Sequence, residues 1–163
     1  MNKSIIVKLL IVFSLSVSSF AIKKGIIVDV NLSPAGSFQI KGKVKGSVTK
    51  QGEFFISKAL YSPVKKFKTG MDLRDDHTKK KLQYKKFPKV SILKAKAKSG
   101  KGVALIQIRS VKKKVSFTYK VKNEKYIIAN FALKLSDFKF EGINYMGVGV
   151  KNKIKITATV PIK

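Results

Sequence analysis

Residues 111–121 read VKKKVSFTYKV, and polar and apolar side chains alternate along this stretch. Val115, Phe117 and Tyr119 fall at every second position, and lysine, serine or threonine occupies the positions between them. A period of two over this many residues indicates a β-strand with one buried and one solvated face. The stretch therefore predicts a half-buried strand whose outer face carries lysines.

The same alternation recurs in residues 38–50, 127–135 and 154–162. Gly42 and Gly46 fall on the apolar side of the first of these, where a missing side chain permits bending or close approach by a bulky group. Shorter apolar stretches predict further strands at residues 26–30, 54–60, 90–97 and 103–108. About eight strands are expected in total.

Strands that each have one apolar face must stack as two sheets or close on themselves. We therefore expect an all-β fold, either a sandwich or a small barrel of about eight antiparallel strands, since the alternation alone does not separate the two. A membrane-embedded barrel is disfavoured. The chain has no tryptophan for aromatic girdles, and a lumen lined by lysines would repel itself.

One segment, Asp72 to Leu82, resists the strand interpretation. An acid lies at its start and Lys79, Lys80 and Lys81 lie near its end, which is the polarity that suits the helix dipole. We expect this segment to be the single short helix and to cap one end of the sheet structure.

Arg74, Asp75 and His77 crowd together in the predicted helix. We expect them to form a structural latch, because partly buried charged groups need hydrogen-bond partners. The alternative is a cluster that fixes the polar end of a ligand or performs chemistry on it. His77 is the only histidine and the chain has no cysteine, which excludes zinc sites built from several such residues. No catalytic residue, metal or cofactor is expected.

The first 21 residues have the pattern of a cleavable secretory signal. Lys3 and Lys8 form a basic start without any acid. The apolar run that follows, from residue 9 to about residue 17, is too short to cross a membrane stably as a helix. This pattern predicts export of the protein.

Small residues at Ser19 and Ala21 predict cleavage between Ala21 and Ile22. Residues 22–163 are then expected to form one domain in the periplasm or outside the cell. The chain has no cysteine, and a lipoprotein needs one after its signal, so a lipid anchor is excluded.

The chain carries 36 basic and 8 acidic residues, a formal charge of +28. Such an excess suits a polyanionic partner such as lipopolysaccharide, an anionic membrane or nucleic acid. Only Arg74 and Arg109 are arginines, and arginine is the residue that reads bases with paired hydrogen bonds. No specific nucleic-acid binding is therefore expected. Lysines spread along the whole chain favour one solvated face that is repeated on every strand.

Residues 69–77, TGMDLRDDH, and FPKV at residues 87–90 resemble the central signature of the YceI-like family. In that signature an R-D-x-H helix precedes a y-P-x-[iv] strand start. Further similarity lies at residues 38–46, 135–138, 142–143 and 148–154. The resemblance thus covers about residues 26–162. Asn152 stands where the family usually has an acid, and the lysine content is extreme for the family.

The resemblance implies a lipocalin-like antiparallel β-barrel whose apolar pore holds a long-chain isoprenoid or another amphiphilic lipid, in the periplasm and without a cofactor or catalysis. We expect residues of the alternating apolar faces to line the pore, namely Phe38, Ile40, Val44, Phe117, Tyr119, Phe131, Leu133, Ile154 and Ile156.

Three functions stay open: a lipid carrier, a polyanion-binding module that uses the lysine faces, and an enzyme that acts on a bound amphiphile through Asp75 and His77. Contact with an anionic membrane surface and formation of a homodimer are also left open.

Overall fold

The structure is a computed structural model that describes residues 22–145 and 147–163. The predicted signal, residues 1–21, lies outside the described residues, so the predicted cleavage site between Ala21 and Ile22 stays a prediction. The described part of the chain is dominated by β-strands and contains one α-helix. The predicted all-β fold with a single short helix is confirmed.

Twelve strands lie in the described residues, and their bounds are β1 Gly25–Ser33, β2 Ser37–Gly42, β3 Thr49–Gln51, β4 Phe54–Ser57, β5 Leu60–Pro63, β6 Lys89–Lys98, β7 Lys101–Ile108, β8 Val111–Lys122, β9 Tyr126–Lys134, β10 Asn144–Tyr145, β11 Val148–Val150 and β12 Lys153–Pro161. Helix α1 is Asp72–Lys81, and 3-10 helices are Val64–Lys66 and Leu135–Phe138. The predicted count of about eight strands is wrong. Strands of two to four residues, such as β3 and β10, are too short to show a period of two.

The strands form one antiparallel sheet in the order β10-β11-β1-β12-β9-β8-β7-β6-β4-β3, with β2 also paired to β1 and β5 also paired to β6. The ladder does not run continuously round the molecule. Where β2 faces β5, the ladder is replaced by isolated bridges, which join Lys41 to Lys68 and Lys45 to Tyr61. The sheet therefore curves into a barrel-like wall without complete hydrogen-bonded closure.

Two buried serines attach residues 43–47, which follow β2, to strands β4 and β5. The Ser57 hydroxyl donates to the backbone oxygen of Ser47 at 3.1 Å, and the Ser62 hydroxyl donates to that of Lys43 at 2.7 Å. Both serines are buried, where a polar group needs a partner. These contacts hold together the edge that the ladder leaves open.

The buried core forms two clusters along the barrel. The first includes Val30, Ile106, Leu133 and Ile156. The second includes Val48, Ala97, Tyr119, Ile127 and Val160. Most residues of the first cluster line a large cavity, described below, and so do Val44, Leu60, Ala158 and Val160 of the second. The rest of the second cluster packs the other end.

Gly102 explains how Phe117 reaches the packed end. A Cβ at Gly102 would lie 2.3 Å from Phe117 Cζ and 2.8 Å from Ala97 Cβ, which is closer than atoms can approach. Only glycine therefore lets the Phe117 ring lie across β7. Gly42 has a similar role, since its Cβ position is 2.8 Å from the Phe67 ring.

Candidate ligand-binding cavity

An apolar cavity of about 1020 Å3 lies inside the barrel. Its walls come from inward positions of β1, β2, β6, β7, β9 and β12. These wall residues include Val28, Val30, Ile40, Val90, Ile92, Ile106, Ile108, Phe131, Leu133, Ile154 and Ile156. Successive strand residues point to opposite faces, so the alternation that places lysines outside also makes the inner wall apolar.

The polar residues of the lining are concentrated on α1. They are Arg74, His77, Thr78, Lys80 and Lys81 on the helix, and Tyr61, Ser62 and Asn144 elsewhere. Positions three and four apart share one face of a helix, so Arg74, His77 and Thr78 lie on the same side of α1. The cavity is thus an apolar container with its polar and cationic groups at the helix.

Arg74 is held at this polar side by two contacts. Its guanidinium carbon lies 4.4 Å from the centroid of the Phe38 ring, within the range of a cation–π interaction. Its Nη2 lies 2.9 Å from the sulfur of Met71. Arg74 is part-buried and presents a positive charge to the cavity.

Asp75 is almost completely buried, with a side chain 3% exposed. Its carboxylate accepts hydrogen bonds from the Thr69 backbone N–H at 2.6 Å and the Thr69 hydroxyl at 2.8 Å. Lys68 Nζ lies 2.9 Å from its other oxygen. The backbone of Lys68 in turn exchanges two hydrogen bonds with Lys41, which follows Ile40 in β2. Asp75 therefore fastens α1 to the free edge of the barrel.

Burial raises the pKa of the Asp75 carboxyl, but the hydrogen bonds from Lys68 and from both donors of Thr69 outweigh burial and lower the pKa from 3.8 to about 2. The same hydrogen bond and the charge of Asp75 raise the pKa of Lys68 above its ordinary 10.5. Both directions fit an ion pair in which Asp75 is ionised and Lys68 is protonated.

The predicted latch residues lie on α1, but their roles differ. Asp75 is paired with Lys68 and Thr69, and Arg74 contacts Phe38 of β2. Arg74 and His77 also line the cavity. Sequence reasoning missed Lys68 and Thr69 as the partners of Asp75. Their position just before the helix could have indicated the pairing, because an acid in the first turns of a helix often accepts hydrogen bonds from residues that precede it.

Seven of the nine residues predicted to line the pore lie on the cavity: Phe38, Ile40, Val44, Phe131, Leu133, Ile154 and Ile156. That they contact a ligand stays a prediction. Phe117 and Tyr119 lie outside this cavity. The Tyr119 ring packs edge-on against Phe55, with centroids 5.6 Å apart, and Phe117 lies 6.4 Å from Tyr119. The alternation correctly assigns both to the inner face but carries no information about depth along the barrel.

Sequence reasoning missed the helix side of the cavity and several wall positions, including Val30, Ile106, Ile108, Phe140 and Val150. Val30, Ile106 and Ile108 lie in stretches that are apolar without a clean alternation. Within residues 22–145 and 147–163, no group of three or more His, Asp or Glu residues is arranged to hold a metal ion. No helix in that same part of the chain is long and apolar enough to cross a membrane.

Several solved structures share this fold. BcnA from Burkholderia cenocepacia is 12% identical with a TM-score of 0.65, over 85% of this chain and 96% of that one. A polyisoprenoid-binding domain from Saccharophagus degradans, implicated in plant cell wall breakdown, is 9% identical with a TM-score of 0.61, over 84% and 91%. The YCEI protein of Campylobacter jejuni is 18% identical with a TM-score of 0.50, over 75% and 79%.

A search of curated proteins finds no match to this sequence. The model of the YceI-like domain, however, matches residues 17–162. The match spans all twelve strands, helix α1 and the cavity between them, and the resemblance seen in the sequence is confirmed. The chain therefore belongs to the YceI-like family.

Proposed function

We propose that this chain is an exported binding protein, without catalytic activity, that holds a long-chain isoprenoid or a similar amphiphilic lipid inside the barrel. The observation that carries the proposal is the cavity of about 1020 Å3, with apolar walls and its polar groups gathered on α1. Ligand pockets typically measure roughly 300–1,000 Å3, so this cavity has room for a large apolar molecule.

Burial of the lipid chain supplies the affinity. Each methylene removed from water contributes about 0.8 kcal/mol, whereas ordering a flexible chain opposes binding. The walls offer few hydrogen-bonding groups, so the length and width of the chain determine which lipids fit. A rigid polar ligand would leave its own groups without partners in such a cavity.

The polar end of the ligand is expected at α1. Arg74, Lys80 and Lys81 carry positive charge there and His77 and Thr78 offer hydrogen-bonding groups. An amphiphile with an anionic headgroup would place its chain along the apolar wall and its headgroup against this face. This orientation satisfies both ends of the molecule.

Membership of the YceI-like family and likeness in fold to a polyisoprenoid-binding domain support the class of ligand. The basic and apolar N-terminus of the chain supports export to the periplasm or the medium.

Native mass spectrometry of the purified protein, combined with lipid extraction, tests the proposal. Val30→Trp places a large side chain into the cavity, and we expect it to lose most of the co-purified lipid. Val121→Trp is the matched control, because Val121 is 43% exposed on β8 and does not line the cavity. A Val30→Trp variant that melts like the wild type and carries the same lipid would contradict the proposal. If it does not fold, Ile154→Phe is a smaller change at the same wall.

A second candidate function is binding of a polyanion, and the outer surface of the barrel favours it. Lys96 and Lys98 lie with Nζ 4.0 Å and 5.3 Å from the ring centroid of Phe54, and these residues line a shallow external groove of about 540 Å3. Salt separates the two functions. Polyanion binding loses affinity steeply as salt rises. Burial of a lipid chain is strengthened by salt, and only the headgroup contacts at α1 are weakened, so the loss of affinity is much smaller.

A further inference from the structure

The cavity opens where its lining residues are also exposed to solvent. Among the described residues, Met71 and Leu73 are the large apolar side chains with the highest exposure, 52% and 57%. Both line the cavity. Val148 of β11 also lines it and is 41% exposed. The interior apolar wall therefore continues onto the surface at this opening.

Local helix stability does not explain why a methionine occupies position 71. It is the N-cap residue of α1 and makes no side-chain capping bond. Serine, threonine, aspartate or asparagine would stabilise the helix at this position. Leu73 is exposed in the first turn of the same helix. Apolar side chains exposed at the rim of an apolar cavity indicate contact with an apolar partner.

The chain around the opening is strongly basic. Residues 64–89 contain ten lysines or arginines and three aspartates, which gives 10 − 3 = +7. Lys80 and Lys81 are exposed and also line the cavity. Asp75 is neutralised by Lys68, and the exposed acids, Asp72 and Asp76, are far outnumbered. Exposed apolar groups beside lysines are the combination by which peripheral proteins bind an anionic bilayer.

We propose that the surface formed by Met71, Leu73, Val148, Lys80 and Lys81, here called the mouth surface, docks on a bilayer that contains anionic phospholipids. The apolar side chains enter the bilayer and the lysines contact its phosphates. The opening of the cavity then faces the acyl chains, so an apolar cargo passes between membrane and protein without crossing water. The inference rests on the proposed function for the identity of its cargo, but docking itself is measured without cargo.

Flotation with vesicles tests the docking of protein recovered after expression of the full chain. The vesicles contain equal parts of phosphatidylcholine and phosphatidylglycerol, with pure phosphatidylcholine as the comparison. We expect binding to the anionic vesicles, and a Met71→Asp, Leu73→Asp double variant should bind at least about tenfold more weakly. The control, Ile27→Asp with Val121→Asp, makes the same charge change at exposed apolar residues away from the cavity. We expect it to weaken vesicle binding by less than about threefold.

Lysine substitutions test the charge. Lys80→Glu with Lys81→Glu should weaken binding at least about tenfold, whereas Lys112→Glu with Lys114→Glu, exposed residues on the outer face of β8, should have a much smaller effect. Because all variants share one N-terminus, residues 1–21 contribute equally to each.

Equal losses at the mouth surface and at the control sites would overturn the inference, since binding would then reflect only the overall charge. Absence of wild-type binding to either vesicle would also overturn it and would assign the surface to a protein partner. Native mass spectrometry of the same preparation reads the cargo separately. Vesicle binding without bound lipid contradicts the proposed function alone, and bound lipid without vesicle binding contradicts docking alone.

Discussion

At the scale of the residue, Asp75 shows how one buried carboxylate can position a helix. It is ionised and buried, and it is stable there because Thr69 donates two hydrogen bonds and Lys68 a third contact. An ionised carboxylate without such partners would be costly to bury. Lys68 lies on the bridge to β2, so the same residue that neutralises Asp75 also connects α1 to the barrel.

Replacement of Asp75 by asparagine should lower the melting temperature at neutral pH by roughly 5–10 °C, because charge-assisted hydrogen bonds are lost. The pKa of Asp75 is lowered in the folded state to about 2 from 3.8. Its contribution to stability is therefore complete above pH 4 and is lost as the pH falls from 3.8 towards 2. Thermal melts across this range should show a steeper fall for the wild type than for Asp75→Asn.

Asp76→Asn is the matched control for this substitution, because Asp76 is the adjacent acid of α1 and is exposed. The same pH dependence in wild type and Asp75→Asn would contradict the latch. If Asp75→Ala or His77→Ala left melting unchanged but altered the chemical identity of the bound lipid, the two residues would be catalytic instead.

At the scale of the element, α1 is the only described element that contributes several charged groups to the cavity. The strands β1, β7, β9 and β12 bury alternate residues and leave the others half-buried or exposed. Their inner faces are uniformly apolar. A helix presents a face of residues three and four apart, and on α1 this face is polar. The strands therefore supply the apolar wall and α1 supplies the polar groups, which together form an amphiphilic site.

Arg74→Gln combined with Lys81→Gln should therefore weaken the binding of an anionic amphiphile and spare a neutral one. We expect oleate to bind about tenfold more weakly, and oleyl alcohol, which has the same chain without the charge, to change by less than about twofold. Displacement of a fluorescent fatty acid and calorimetry measure both. Lys114→Gln, an exposed residue on the outer face of β8, controls for total charge. An equal loss of affinity for oleate and oleyl alcohol would mean that the headgroup binds elsewhere.

At the scale of the whole molecule, the barrel has one open half and one packed half. The Phe117 and Tyr119 rings, with Phe55, fill the packed half, and the cavity occupies the other. Lysines are exposed throughout the described strands, which keeps the large positive charge in solvent. Charge of one sign over a whole exterior generally opposes self-association by repulsion.

The predicted export belongs to this scale, because export would determine where the barrel folds. Replacement of Ser19 and Ala21 by leucine should leave an uncleaved, membrane-held precursor, since the signal peptidase accepts small side chains there. Fractionation of the bacterial host followed by N-terminal sequencing measures this. The wild type should begin at Ile22, and Leu substitutions at Ser16 and Ser18, outside the cleavage positions, serve as the control. An intact Met1 on wild-type protein from the periplasm would contradict the signal.

The sequence by itself determined the inner and outer faces of the strands, the helix that begins at Asp72 and the family. Each of these is a local pattern: a period of two, a charge gradient, or a short motif such as RDDH at residues 74–77. Only the tertiary structure decided which inward residues border the cavity and which fill the barrel. Phe117 reaches the packed half because Gly102 has no side chain there, and Tyr119 packs against the ring of Phe55. Depth along a barrel arises from contacts between distant strands, and no local period encodes it.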